Sequence, residues 1–99
     1  MPAYYCKLHA PRSDFAQTMS PAERQIMLDH SAYLSGFSTK GWLVAFGPVA
    51  DPQGFFGVAI WQVPDGTGVA ALLAEDPVIK AGIGARYETH PMASLNTRP

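Results

Sequence analysis

With a single cysteine, Cys6, in 99 residues, the chain cannot close an internal disulfide. Cys6 lies in an apolar run and reads as a small buried hydrophobe rather than a reactive thiol, which suits a reducing compartment. Charge is also scarce: seven Lys and Arg face eight Asp and Glu, 15% of the chain in all, and no basic cluster forms. That balance argues against nucleic acid and against an anionic membrane surface as partners. No run approaches the ~18 apolar residues of a membrane span. Nor does M-P-A-Y-Y-C-K-L-H carry a charged stretch followed by a long apolar one, so a cytoplasmic location is expected. Metal-ligand spacings are missing too, because His9, His30 and His90 are scattered and neither H-x-x-x-H nor C-x-x-C occurs. Gly82-x-Gly84 precedes a strand rather than a helix, so it is not a dinucleotide loop. Neither metal nor cofactor is expected.

What the chain does have is apolar substance, 47% of its residues, enough for one modest core. We expect a single domain over residues 1–92 and a tail over 93–99. Tyr4 to His9 alternates as a first strand, and Ala10 to Met19 lacks any period and reads as a long loop. Ser20, Pro21 and Glu23 form a capping box that opens a helix through about Thr39, with Gly41 beyond its end. Trp42 to Phe46 reads as a buried strand stopped by Gly47-Pro48, and Asp51-Pro52 with Gly54 turns it into a second strand, Phe55 to Val63. Thr67 caps a short helix through about Ala74, which Glu75-Asp76-Pro77 ends, and Ala85 to His90 is the last strand. The order β-α-β-β-α-β predicts an α+β ferredoxin-like sandwich, a four-stranded antiparallel sheet with its helices on one face. Phe55 to Val63 is apolar on both of its faces, so the helix-free side of the sheet calls for a cover, and a homodimer packed face to face supplies one.

One residue breaks the pattern of the long helix. Ile26, Tyr33, Phe37, Leu34 and Met27 make a broad apolar stripe, and His30 falls inside it, about 40° from Ile26. A core-facing imidazole without a hydrogen-bond partner costs roughly 1–3 kcal/mol, so His30 needs one. Ser31 points about 100° away from it, so a nucleophilic triad through Ser31 is not supported. In the long loop, Arg12 and Phe15 are candidate substrate contacts.

The motifs His30-x-x-Tyr33-Leu34, Gly41 with its aliphatic strand, Gly47-Pro48 and Asp76-Pro77 followed by Ala81-Gly82 resemble, in their order and spacing, the YciI-like (YCII-related) family of the dimeric α+β barrel superfamily. The resemblance spans nearly all of Tyr4 to Met92. It implies a homodimer with a histidine and an aspartate paired in a cleft, here His30 and Asp76, and a relative removes chloride from a chlorinated hydroquinone without a cofactor. Val78, where an aromatic residue often follows Asp-Pro, and the long loop depart from the family pattern, so substrate identity does not transfer. Two functions stay open. One is a cofactor-free enzyme using His30 and Asp76 for acid–base chemistry (elimination, isomerisation or a related lyase step) on a small cyclic or aromatic molecule, in a cleft walled by Tyr33, Phe37, Phe46 and Trp61. The other is a non-catalytic dimeric small-molecule-binding module in which the pair only satisfies buried polarity.

Overall fold

A computed structural model describes residues 1–99. Strands β1 (Ala3–His9), β2 (Leu43–Val49), β3 (Phe56–Gln62) and β4 (Arg86–Pro91) form one sheet in the order β2-β3-β1-β4. Every neighbouring pair is antiparallel. Helices α1 (Phe15–Thr18), α2 (Pro21–Lys40), α3 (Val69–Ala74) and α4 (Pro77–Lys80) complete an α+β, ferredoxin-like domain. Residues 92–99 carry no regular secondary structure.

Local chemistry sets the limits of α2. The Ser20 hydroxyl accepts the Glu23 N–H at 3.1 Å, and the Glu23 carboxylate accepts the Ser20 N–H at 2.9 Å, while Pro21 opens the first turn. At the other end Gly41 turns left-handed (φ 86°), its N–H donating to Ser38 O and the Trp42 N–H to Phe37 O. Trp42 then stacks on Phe37, ring centroids 5.9 Å apart, the apolar contact that accompanies this kind of helix end.

Four details differ from expectation. The loop after β1 contains α1, one turn closed by the Thr18 N–H to Asp14 O. Pro48 does not stop β2, which runs on to Val49: β2 is an edge strand, so the N–H that proline lacks has no second neighbour to meet. Thr67 does not cap α3, because its own N–H closes a turn onto Pro64 O and Gly68 takes the capping position. Past Asp76 the chain winds into α4, so Asp76 starts an element instead of merely following one.

The register divides the sheet into two faces. Tyr4, Cys6 and Leu8 of β1 pair with Trp61, Ala59 and Gly57 of β3 on the helix side, and Tyr5 and Lys7 pair with Ile60 and Val58 on the open side. The core clusters Cys6, Leu34, Leu43, Ala59, Trp61, Val63, Val69 and Leu73 between helices and sheet. Tyr33, Phe37 and Trp42 pack against it, Phe37 lying edge-on to Tyr33 at 5.1 Å and tilted on Trp61 at 5.3 Å.

Candidate active site

His30 and Asp76 meet from elements far apart in sequence. Asp76 precedes Pro77, whose ring favours an extended backbone before it (φ −61°, ψ 128°), and from there its side chain caps α4 by accepting the Val78 N–H at 3.0 Å. The same carboxylate faces His30 Nδ1 at 2.8 and 2.9 Å and accepts the Tyr87 O–H at 2.6 Å. Val78 N–H and Tyr87 O–H are donors to a carboxylate that serves both as acceptor. Nδ1 therefore completes the set as a third donor, which leaves Nε2 as the ring nitrogen with a lone pair.

Burial makes this network costly to break. Asp76 is wholly enclosed and His30 is 8% exposed. Burial, followed by the hydrogen bond to Asp76 and the charge of that carboxylate, pushes the Tyr87 phenol well above the ordinary tyrosine range, so it remains a donor. Nε2 of His30 has no partner within the protein and is not among its sealed polar atoms, and His30 lines a cavity of about 300 Å³.

That cavity lies between the middle of α2 and the helix side of the sheet. Met27, His30, Ser31 and Leu34 line it from α2, and Leu8, Gly57 and Ala59 form its floor. Phe46 and Pro48 of β2, Phe55, Val78 and Tyr87 close its sides, and Pro11, Phe15, Ala16 and Met19 roof it. The roof is seated closely: a Cβ on Gly54 (φ 133°) would stand 2.7 Å from Ser13 O, so the β2–β3 turn admits no side chain there.

Of the candidate contacts named from the sequence, Phe15 and Phe46 line the cavity beside His30. Tyr33, Phe37 and Trp61 do not; they belong to the core. Tyr33 and Phe37 share the helical stripe of His30 but lie on its other flank: at about 100° per residue Met27, Ser31 and Leu34 fall on one side of His30, toward the cavity, and Tyr33 and Phe37 on the other, toward the core. The Tyr33 hydroxyl accordingly donates to Leu72 O at 2.7 Å. Trp61 is likewise displaced from Ala59 by two residues of strand, about 7 Å, out of the cavity floor. Arg12 also stays outside. Its guanidinium donates to both Glu23 oxygens at 2.9 Å and to Thr18 O at 2.8 Å, so it braces the roof from the outer side.

Tyr87 and Met19 are cavity residues that inspection of the sequence did not single out. Alternation in Ala85 to His90 puts Tyr87 on the same face as Thr89, and that was the available signal. Met27, which the helical stripe directs toward the core, faces the cavity. No group of three or more His, Cys, Asp or Glu side chains is placed to hold a metal ion.

A ferredoxin-like sheet with a His–Asp pair at the edge of an apolar cavity defines the class of protein. The YCII-related domain family matches residues 3–93, and the chain belongs to that family. No curated protein sequence matches it.

Proposed function

We propose that the protein is a small enzyme that moves protons on a cyclic or aromatic organic molecule, with His30 as the acid–base group and Asp76 as the residue that orients it. One observation carries the reading: His30 is anchored at Nδ1 by a buried carboxylate while Nε2 stands unpartnered at an apolar cavity. In a module whose His–Asp pair only satisfies buried polarity, both ring nitrogens would be bonded within the protein. A general base needs that free nitrogen within reach of the proton it takes. Elimination, isomerisation and related lyase steps all begin with such a transfer. Asp76, with Tyr87 and the Val78 N–H behind it, holds the ring and its tautomer.

We also propose a homodimer packed through the helix-free face of the sheet, and a reducing compartment for the buried Cys6 thiol. The test of the site is turnover of a panel of ring compounds by wild type, His30→Gln and Asp76→Asn. Turnover by wild type that survives unchanged in folded His30→Gln would refute the assignment.

A further inference from the structure

We infer that the cavity selects uncharged ring molecules, and that the proton taken from them is one whose removal leaves an anion able to spread its own charge. This deepens the acid–base reading and rests on it. None of the chain's seven Lys and Arg lines the cavity, and no Asp or Glu does. Arg12, the nearest by sequence to the roof, is committed to Glu23 and Thr18. Lys7 lies on the opposite face of the sheet over the Phe56 ring at 4.3 Å, and Lys40 caps the Trp42 ring at 3.9 Å. A carboxylate or phosphate entering the cavity would shed its water and meet no cation in return.

The size fits one substituted ring or a fused pair, since a cavity of ~150 Å³ already takes a benzene molecule and this one is about twice that. The same poverty of polar groups limits the chemistry. When Nε2 takes a proton, the electron pair of the broken C–H or O–H bond stays on the substrate. Protein stabilisation for that charge comes chiefly from the new imidazolium, because the Tyr87 O–H and Val78 N–H already serve Asp76 and the one other side-chain hydroxyl of the lining, Ser31, points about 100° away from His30 on α2. Sites that generate localised oxyanions place several donors at the developing charge. Here delocalisation within the substrate, as in an enolate conjugated with a ring, must take their place.

The experiment uses matched probes on the whole protein: 2-indanone, which is neutral and has activated C–H bonds, and indane-2-carboxylate, which has the same skeleton with an anionic group. Binding is read by NMR shifts of the His30 ring and of cavity methyl groups. In deuterium oxide, proton loss is read separately, as a C–H electron pair moving into the enolate, the proton passing to Nε2, and a solvent deuteron returning to carbon. We expect the ketone to bind at least tenfold more tightly than the carboxylate, and wild type, but not His30→Gln, to accelerate its deuteration. Phe46→Arg, at the exposed wall of the cavity, should raise carboxylate affinity at least tenfold. Equal or tighter binding of the carboxylate by wild type, no binding of either probe, or an unmoved carboxylate affinity in Phe46→Arg overturns the selectivity. Ketone binding without accelerated exchange overturns the proton-transfer half and, with it, the acid–base reading of His30, whereas selectivity for the neutral probe is judged by the binding arm alone.

Discussion

At the level of single residues, the site is an asymmetric imidazole, one nitrogen tied and the other free, and its consequences can be ranked by what each substitution removes. His30→Gln keeps a hydrogen-bonding group near Asp76 but cannot shuttle a proton, so loss of about 10²–10⁴-fold in rate is expected. Asp76→Asn should cost less, because the proposed base survives while its tautomer is no longer enforced. Steady-state rates of folded protein decide both. Tyr87→Phe is the cleaner probe of the support beneath them: it keeps the ring in the cavity wall and deletes one donor to an enclosed carboxylate, for about 1–3 kcal/mol of stability by denaturant titration. The same substitution has a pH signature. The folded phenol is raised above its unfolded value of 10.0, so the folded chain holds a proton that the unfolded chain releases. Its contribution is complete below pH 10 and falls as pH rises beyond it, and that alkaline loss should be smaller in Tyr87→Phe. Identical alkaline slopes for the two proteins would show that the phenol is not coupled to folding.

Among the elements, α2 carries two jobs, a wall for the cavity on the flank of Met27, Ser31 and Leu34 and a core contact on the flank of Tyr33 and Phe37. The capping residues of this helix were legible in the sequence because capping is local: Ser20, Pro21, Glu23 and Gly41 act on backbone within a few residues of themselves. The angular position of His30 was legible for the same reason. The helical wheel also separates Met27, Ser31 and Leu34 on one flank of His30 from Tyr33 and Phe37 on the other, but only the fold shows which flank meets an open cavity and which meets the core. The roof was less legible still, since a single turn such as α1 has no period to read and Arg12 finds its partner across a gap that only the fold closes. Glu23 now serves two elements at once, capping α2 and receiving Arg12 from the roof. The Arg12 hydrogen bonds, with the Ser20 N–H second, hold the Glu23 carboxyl down at about 2. A folded value below the unfolded 4.5 means stability present above about pH 4.5 and lost as pH falls toward 2. The thermal midpoint of Glu23→Gln should therefore lie below that of wild type at neutral pH, and the gap should close between pH 4.5 and 2. A gap that stays constant across that range would assign the effect to capping geometry instead of charge.

For the whole molecule, the two faces of the sheet pose different problems. The helix side is filled by core and cavity, whereas on the open side Val58 and Ile60 of β3 are left half-buried beside Ala45, Gly47 and Val49 of β2. Across β1 and β4 that apolar strip gives way to Lys7 and to a Glu88 carboxylate bridged by His9 at 2.9 Å and His90 at 2.7 Å. Apolar centre and polar margin are the anatomy of a protein interface, and a two-fold axis through the strip would set it against its own copy. Ile60 lies at the middle of the strip, level with Tyr5 and Ala45, so Ile60→Glu would force two carboxylates into the contact at a cost that an interface of modest size cannot absorb. Light scattering at micromolar concentration should then give about twice 10.7 kDa for wild type and 10.7 kDa for Ile60→Glu. A wild-type particle of 10.7 kDa would refute the dimer. Because Ile60 does not line the His30 cavity, the Ile60→Glu monomer should still bind neutral ring probes with wild-type affinity. Loss of binding in a folded monomer would mean that the partner completes the site.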